Sequence, residues 1–569
     1  MDDFPIEIID CISSFLDQNT LKRTLFVSRA FQASAEYHSG AFRNFIIKSP
    51  FQQSSRFRQR LKGDDEKDVF TKFLDTYNGH RFRYLRYVEV HTAFPTLKYL
   101  EEDPDDFPCR ESPEELMEKD EIFTKQIDRV FQTLKFVDSR QSKGQIELCI
   151  VTPVQWVDAD FCHHRVSSAW RVHLLSPSRL PQLDCVRSLT ICNPQDSEYI
   201  NSGKFDEEDF RYDSRLDWRV LLDVASRCPN LEYLGCQTGS REETVSPENR
   251  EKWHFERDYD ACIAATRKDF AAAAQELTLP ASLKNVQLDF LNPLWKHIAE
   301  QRGAGPEFID PLQYDPFSTS LRTLATNLRR VDLRVMADQT LFCGQSSITY
   351  WPNLEFLNTT FHLRTPSGSW YFRGPDGQGE SDIGYAITDT MRPPFSDDND
   401  EDIRWHDERR QEFAPSDSYV PMTTFRAVPN DHVITPFLSA FAKAASEMHA
   451  LRAAVLWAPI NHRAWGLAYT IPNEIRPLDV SSGIPHSSFR QIWWSVGGWR
   501  PKPSLHRLLQ GIGATMHGEE LHEYWGSEES DEGMLLGRVF EQSFAAFPRR
   551  DGPGPRDHLV KDWYSRTMS

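Results

Sequence analysis

Large apolar side chains recur at helical spacing at the start of the chain, within residues 4–17. They are Phe4, Ile8, Ile9, Ile12, Phe15 and Leu16. Polar residues separate them, which is the pattern of one face of an amphipathic helix. Pro5 suits the first turn, where its missing N–H costs nothing, and Glu7 lies near the positive end of the helix dipole. The pattern therefore predicts one short helix.

Two more short helices are predicted directly after the first. The second begins after Asp17, with Asn19 or Thr20 as its capping residue. Its inward apolar side chains are Leu21, Leu25 and Val27. The third spans about Ser28 to His38. Three short helices bury too little surface to close a core of their own, so some of these apolar faces should meet a partner or the next domain.

Further along the chain, helical and strand-like periodicities alternate. A unit recurs: an amphipathic helix, a short turn that often contains Pro or Asn, and a strand close to Leu-x-x-Leu/Val-x-Leu. The predicted helices are Val69–Tyr77, Glu121–Val137, Trp218–Ser226, Tyr259–Glu276 and Ser318–Ala325. The predicted strands are Leu85–Val90, Ile146–Val151, Leu183–Ile191, Cys228–Leu234, Leu279–Leu288, Asn327–Leu333 and Trp351–Leu357. Two of them read almost identically, Cys-Pro-Asn-Leu-Glu-Tyr-Leu and Trp-Pro-Asn-Leu-Glu-Phe-Leu.

These units resemble a degenerate, ribonuclease-inhibitor-like leucine-rich repeat with insertions. Each helix–strand pair can bury its apolar face only against its neighbours, and stacking yields a parallel sheet with helices on one side. The spacing between strand starts varies from about 26 to about 60 residues, so the fixed period of a regular repeat is missing. An ordinary α/β domain is the alternative. The irregular α/β solenoid is favoured because the Pro-Asn-Leu lead-in recurs and no nucleotide loop accompanies any strand.

Two acidic stretches interrupt the pattern. Glu101–Glu118 contains three prolines and predicts a loop insertion. Residues 362–430 hold a Gly-rich run and the run Asp397–Asp402, which predicts a long, partly disordered insertion. Order resumes afterwards with a helix whose stripe runs from Phe437 to Met448. The later predicted elements are the strands Leu451–Trp457 and Ser488–Pro501 and the helices Leu505–Ile512 and Met534–Phe547.

The chain therefore divides into four predicted segments. Residues 1–49 form a small three-helix domain, and residues 50–361 form the repeat-like α/β domain. Residues 362–430 form the acidic insertion, and residues 431–569 continue the α/β domain.

Composition limits the function classes. The chain has 569 residues, 39% of them hydrophobic and 12% aromatic, which is typical of a globular protein. Its formal net charge of −19 disfavours general binding to nucleic acid or to an anionic membrane. The basic runs Arg56–Lys62 and Arg81–Arg86 are interpreted as solvated faces rather than phosphate sites.

The expected location is intracellular, in cytoplasm or nucleus. The first residues carry no apolar signal core, and no run reaches the ~18–20 apolar residues of a membrane span. Ten cysteines occur without a C-x-x-C pair, so reduced thiols are expected.

The first segment resembles an F-box. Phe4-Pro5-x-Glu7-Ile8 stands where that motif has Leu-Pro-x-Glu-Ile/Leu, and Val27-Ser28-Arg29-Ala30-Phe31 and Phe42 follow in the family's order. The sequence departs by having Phe for Leu at position 4 and Phe for Trp at positions 31 and 42, which keeps each side chain large and apolar. The later Trp-rich stretches resemble the C-terminal portion of fungal F-box proteins, without adding a function.

The resemblance implies that these helices dock on a Skp-type adaptor and, through it, on a cullin-RING ubiquitin ligase. The implied adaptor-binding residues are Phe4, Pro5, Ile8, Ile9, Ile12, Leu16, Leu21 and Val27. The chain would then be a substrate-recognition subunit whose repeat domain binds an unknown target protein. One alternative is that residues 1–47 are only a helical cap on a larger core.

No pattern of catalytic residues accompanies these elements. Neither Gly-x-Ser-x-Gly nor a complete phosphate loop occurs, and Gly374-x-x-Gly377-x-Gly379 is a fragment in an acidic stretch. Cys162-His163-His164 lacks a second pair at zinc spacing. The sequence therefore predicts no enzyme activity, no metal and no cofactor.

The C-terminal tryptophans and two other function classes stay open as alternatives. The tryptophans are Trp457, Trp465, Trp493, Trp494, Trp499 and Trp525. They are interpreted mainly as core, although outward-facing Trp on a sheet would be a binding hot spot. A scaffold with a relic F-box and an unrecognised α/β hydrolase are the alternative functions.

Overall fold

The computed structural model describes most of the chain and forms two compact units. The described residues are 4–49, 51, 69–77, 79–96, 111–140, 143–158, 169–193, 209–238, 256–291, 301, 304–309, 311–344, 351–387, 425–460, 463–473 and 488–525. Unit 1 holds those up to Cys236 together with Leu277–Leu283, and unit 2 holds the others. Both units combine helices with mostly parallel strands, which confirms the predicted α/β class.

Eleven α-helices lie in the described residues. They are α1 (Ile6–Ser14), α2 (Gln18–Thr24), α3 (Arg29–His38), α4 (Val69–Thr76), α5 (Pro113–Asp138), α6 (Arg219–Ala225), α7 (Glu256–Glu276), α8 (Pro316–Leu324), α9 (Asp431–Glu447), α10 (Pro503–Gln510) and α11 (Ala514–His517). Among the described helices, none has both the length and the apolar composition needed to cross a bilayer.

Nineteen β-strands, several of them only two residues long, lie in the described residues of the two units. In unit 1 they are β1 (Asn44–Lys48), β2 (Tyr87–Ala93), β3 (Ile146–Asp158), β4 (Arg171–Val172), β5 (Val186–Cys192), β6 (Asp209–Asp213), β7 (Arg215–Leu216) and β8 (Tyr233–Gln237). In unit 2 they are β9 (Asn285–Asp289), β10 (Pro306–Glu307), β11 (Arg330–Val335), β12 (Phe356–Phe361), β13 (Phe372–Arg373), β14 (Tyr385–Ala386), β15 (Val428–Pro429), β16 (Ala453–Ile460), β17 (Arg463–Thr470), β18 (Arg490–Ser495) and β19 (Leu521–Trp525).

In unit 1 the main strands lie side by side in chain order. β1, β2, β3 and β5 pair in parallel, β8 follows β5, and β6 joins β3 in antiparallel orientation. Alternate side chains such as Val88, Val90 and Ile150 are buried on one face. α5 packs against β2 and buries Phe123 and Phe131. Sequential parallel strands need a long crossover connection, and α4, α5 and α6 lie in three of these connections, whereas no α-helix is described between β3 and β5.

Unit 2 repeats the arrangement and then changes direction. β9, β11, β12 and β16 pair in parallel in chain order. β17 is antiparallel to both β16 and β18, and β19 is parallel to β18. Only two residues of sequence separate β16 from β17, a length that suits a hairpin and is too short for a parallel crossover. The all-parallel solenoid expected from the sequence is therefore not what the C-terminal strands form.

The Asn-Leu phrases at Leu231, Leu328 and Leu354, two of them preceded by Pro, form turns before β8, β11 and β12. The N–H groups of Leu231, Leu328 and Leu354 donate to the carbonyl three residues earlier, at 3.0–3.1 Å, and the leucine side chains are buried. The next residue bonds to the preceding strand: Glu355 N donates to Arg329 O at 2.8 Å. The strands therefore begin several residues later than predicted, because the first leucine of each phrase anchors the turn.

Part of the predicted loop at Glu101–Glu118 is helical, so that prediction was wrong for its end. α5 begins at Pro113, and Ser112 and Glu115 form a reciprocal capping box. Pro at the first helical position and a Ser-x-x-Glu box are both helix-start signals. Prolines often mark loops, but Pro113 occupies the first position of α5.

The described part of residues 362–430 is built into unit 2. Trp370, Tyr371 and Phe372 are buried, and β13 pairs with β15. Arg426 is buried as well; its guanidinium donates to the carbonyls of Gln301 and Gly379 and pairs with Asp382. Since its ring partner Trp370 lies 4.0 Å from the guanidinium carbon, the charge is enclosed by polar and aromatic groups. These residues are an integral layer of the fold rather than a surface decoration.

A buried carboxylate pair caps two helical turns in unit 2. Asp315 accepts from Ser318 N at 3.0 Å and from Arg267 Nη2 at 2.6 Å. Asp338 accepts from Thr340 N at 2.8 Å. Burial, with repulsion from Asp315 as the next cause, raises the pKa of Asp338 from 3.8 to about 6. The folded state therefore binds this proton more tightly than the unfolded chain, and its stabilising effect is lost as the pH rises through about 6.

We expect Asp338→Asn to gain stability relative to wild type as the pH rises. Near pH 4 the Asp338 carboxyl is protonated and resembles an amide. At pH 7.5 the buried charge costs wild type up to about 3 kcal/mol, which the variant avoids. The measurement is amide hydrogen exchange of Pro316–Leu324 in both proteins at each pH, with exposed Asp376→Asn as the control. A difference in protection that does not change with pH would contradict the assignment.

Candidate docking surface on the N-terminal helices

Three short helices form the N-terminal part of unit 1, and α2 and α3 begin at side-chain caps. Asp17, rather than the predicted Asn19 or Thr20, caps α2 and accepts from Asn19 N at 2.8 Å and Thr20 N at 3.0 Å. These bonds, led by that from Thr20, lower the pKa of Asp17. Ser28 caps α3 through Phe31 N at 3.3 Å. Asp and Ser at these positions satisfy backbone donors that a helix leaves unpaired, which is why the short helices begin there.

The inner side of the helices is small and closed. Ile9, Leu21 and Ala35 are buried, and α1 packs against α3. Ser34 Oγ donates to Asp10 Oδ1 at 2.5 Å across that contact. The polar link fixes the two helices while using few apolar side chains, so the remaining apolar residues of α1 and α2 are left outside.

Those remaining residues form what we call the docking surface. It consists of the exposed side chains of Phe4, Pro5, Ile8, Ile12, Phe15, Phe26 and Val27. Phe15 is 84% exposed and Phe26 92% exposed, which is far from the usual state of a phenylalanine. Clusters of exposed apolar side chains mark interaction sites in soluble proteins, and the N-terminal segment leaves an unusual number of large apolar side chains in solvent.

Helical spacing places much of this surface on one side of α1. Ile8, Ile12 and Phe15 follow at intervals of four and three residues, so they share a face, with exposed Cys11 beside them. Ile9 and Ser13, both buried, lie on the neighbouring face, about 100° further around the helix. The apolar residues of α1 therefore form two faces: one packs against the protein interior, and the other is exposed to solvent.

The structure divides the predicted site residues into an exposed group, a buried group and one intermediate residue. The exposed group is Phe4, Pro5, Ile8, Ile12 and Val27; the buried group is Ile9 and Leu21; and Leu16 is half-buried. The first group can contact a partner directly, whereas the second supports the helices from within. Phe15 and Phe26 were absent from the predicted set. A helical projection through Ile8 would have included Phe15, but Phe26 lies in a turn where periodicity gives no signal.

An ion-pair network attaches these helices to the rest of unit 1. Glu36, on α3, is 4% exposed and accepts from Arg81 Nη2 at 2.6 Å. His80 Nε2 lies 2.8 Å from the same carboxylate, and Gln32 Nε2 donates to it at 3.2 Å. Burial opposes ionisation of Glu36, but the bonds from Arg81, His80 and Gln32 outweigh it and lower its pKa.

Further contacts reinforce this attachment. Tyr84 Oη donates to Ala33 O at 2.8 Å, and Arg81 lies over the ring of Phe42 at 4.3 Å. Immediately after the helices, β1 pairs in parallel with β2. The docking surface is therefore carried on a fixed part of unit 1. Arg81 belongs to the basic run Arg81–Arg86, which was predicted to be a solvated face. Its ion pair with Glu36 gives it a structural role.

Ser34, Asp10 and His38 have the composition of a hydrolase triad without its geometry. The Ser34 hydroxyl donates to Asp10 directly, and His38 Nε2 lies 3.9 Å from Asp10. The described contacts of Ser34 therefore provide no histidine to receive its proton, as nucleophilic catalysis requires.

The remaining sequence candidates have structural roles or lie elsewhere. Gly379, in the left-handed region at φ +69°, makes room for Arg426: a Cβ there would lie 2.5 Å from its guanidinium. Trp457, Trp465 and Trp494 are buried. Cys162-His163-His164, Arg56–Lys62, Asp397–Asp402 and the predicted helix Met534–Phe547 lie outside the described residues.

Comparison with models of known protein families and with curated proteins gave no match in either case.

We expect Glu36→Gln to loosen the attachment of the helices. The variant keeps the shape but leaves Arg81 without its charged partner, at a cost of about 1–3 kcal/mol. Because the folded-state pKa of Glu36 is lowered, its stabilising effect is present at neutral pH and lost as the pH falls below the ordinary range for glutamate.

Hydrogen exchange of Arg29–His38 at pH 7 measures this loosening. Exposed Glu7→Gln serves as the matched control and should leave exchange unchanged. Equal protection in Glu36→Gln and wild type at neutral pH would exclude a stabilising role for the network.

Proposed function

We propose that this chain is the substrate-recognition subunit of a Skp/cullin/F-box-type ubiquitin ligase. The N-terminal helices dock on the adaptor, and the α/β units bind a target protein. The carrying observation is that the N-terminal segment exposes several large apolar side chains, Phe15 and Phe26 above all, while Ile9, Leu21 and Ala35 already form its small buried core. The F-box-like residue order at Phe4–Ile8 and Val27–Phe31 supports the same function.

The chemistry of the surface indicates the kind of partner that fits it. Burying large aliphatic and aromatic side chains gains about 1.5–3 kcal/mol each, so a complementary apolar groove would bind strongly. Lys22 and Arg23 are exposed in the last turn of α2, shortly before Phe26, and Arg29 is exposed at the start of α3. A partner with acidic residues around an apolar groove is therefore favoured, both in orientation and in association rate.

The mechanism is proximity rather than side-chain catalysis. Holding a target and a ubiquitin-loaded transfer enzyme in one assembly raises the effective concentration of each around the other. The transfer of ubiquitin to the target then becomes an intramolecular step. This chain supplies the link, and the bond-forming chemistry belongs to its partners. The degenerate leucine-rich-repeat reading of the α/β units belongs to the same proposal, because sequential parallel strands leave one sheet face for recognition.

We expect Ile8→Lys with Ile12→Lys to abolish adaptor capture without unfolding the protein. Both side chains are more than two-fifths exposed, 45% and 42%, so lysine is tolerated in the free protein. Losing two buried contacts weakens binding at least about 100-fold. The measurement is capture of a purified Skp-type adaptor by the full chain.

Met117→Lys is the matched control, because Met117 is 53% exposed on α5, outside the docking surface. It should bind the adaptor like wild type. Undiminished capture by the Ile8/Ile12 variant would overturn the proposal. Copurification of targets from cells without any adaptor or cullin would favour the alternative, a scaffold that acts outside ubiquitylation.

A further inference from the structure

The first strand of unit 1, β1, forms an edge of its sheet. β1 pairs with β2 in parallel, and no described strand lies on its other side. A sheet edge carries backbone N–H and C=O groups that point away from the sheet, and such groups can pair with an added strand. Strand addition of this kind binds extended peptide segments in several classes of protein. The direction and exposure of the outward groups decide whether β1 can bind in this way.

The hydrogen bonds at the two ends of β1 show which residues face outward. Tyr87 N donates to Arg43 O at 3.1 Å, and Ser49 N donates to His91 O at 3.0 Å. Because successive residues of a strand direct their backbone groups to opposite sides, the odd-numbered residues of β1 bond to β2. The three even-numbered residues therefore direct their N–H and C=O groups to the open edge. These residues are Asn44, Ile46 and Lys48.

Tyr77 closes one end of this edge and leaves the rest open. Its hydroxyl donates to Asn44 O at 3.2 Å, which agrees with the outward direction of that carbonyl. Among the described residues, no hydrogen bond reaches the outward backbone groups of Ile46 or Lys48. The Ile46 side chain is 52% exposed, and Lys48 is exposed as well. Both residues can therefore offer their N–H and C=O groups to an added strand.

The side chains at the edge indicate the chemistry of the strand that fits. Ile46 lies beside Glu89 of β2, and Lys48 lies beside His91. Glu89 accepts from Tyr87 Oη at 2.7 Å and lies 2.7 Å from His91 Nε2. Lys48 has no ion pair within the described part of the chain. A lysine at a sheet edge discourages uncharged and basic strands from pairing, but it attracts an acidic side chain placed opposite.

We propose that β1 binds an extended acidic segment of a partner protein by strand addition. The segment pairs in antiparallel orientation, which is the more stable of the two per residue, with an aliphatic residue opposite Ile46 and an acidic residue opposite Lys48. Only five residues separate α3 from β1, so the segment lies close to the helices that carry the docking surface. That the partner is the target of the ligase rests on the proposed function, whereas the strand pairing does not.

The probe is the peptide acetyl-Ser-Glu-Thr-Val-Thr-Glu-Ser-amide, in which a glutamate lies two residues from the central valine on each side. Fluorescence anisotropy of a labelled copy should show saturable binding to the full chain. N-methylation of the valine removes the donor to Ile46 O and should weaken binding by about tenfold. N-methylation of an adjacent threonine, whose N–H points away from β1 in antiparallel pairing, should leave the affinity unchanged.

Two variants of the chain test the edge itself. Ile46→Pro removes the outward N–H without removing a bond to β2 and should weaken probe binding by about tenfold, whereas Ile46→Val keeps the N–H and should bind normally. Lys48→Glu should weaken binding by about fivefold, because it places like charges opposite each other. Lys125→Glu is its matched control, since Lys125 is 72% exposed on α5. Thermal unfolding of each variant without probe identifies any that fail to fold.

Three results would overturn the inference: no binding to wild type, equal affinities of the two N-methylated peptides, or full affinity in a folded Ile46→Pro variant. A dimer of the wild-type chain that Ile46→Pro abolishes in sedimentation would also overturn it, because a second copy would then occupy the edge. The Ile8/Ile12 variant should bind the probe like wild type. Failure of the docking surface and failure of the β1 edge are therefore distinguishable.

Discussion

The backbone turn before each strand fixes the register on which both units depend. A buried leucine closes the turn, and the next N–H bonds to the strand before, as Glu355 does to Arg329. Because side chains alternate along a strand, a slip of one residue would exchange the two faces. This bond therefore decides which residues meet the helices and which meet solvent or a ligand.

The N-terminal helices depart from ordinary burial. They leave Phe15 and Phe26 in solvent, where large apolar side chains are unusual. This arrangement does not improve the stability of the isolated chain, and under the proposed function it becomes favourable when the adaptor is bound. Sites of this kind are where sequence, packing and function are expected to disagree.

The sequence predicted the alternation of helices and strands well, because apolar periodicity is a direct result of one-sided burial. It missed the start of α5 at Pro113, because proline is found both in loops and in the first turn of helices. It placed several strands too early, because the buried leucine of the preceding turn resembles the first leucine of a strand. The antiparallel β17 was not predicted, although Trp465, Leu467 and Tyr469 alternate with small residues at the period of a strand. Within the docking surface, periodicity identified Ile8 and Ile12 as apolar helix positions. That Ile9 is buried while Ile8 and Ile12 are exposed could be seen only in the structure. The placement of Asn358 beside Asp332 depends on the register between two strands, which no local pattern contains.

The buried Glu36 carboxylate has a mechanical consequence for the proposed function. By joining α3 to Arg81 and His80, it removes the hinge that would otherwise separate the docking helices from the first strands of unit 1. A protein held by unit 1 would then be presented to the transfer machinery at a set distance and angle. The lysines of the target that accept ubiquitin would then be selected by their position in the assembly, and the sequence around each lysine would matter little.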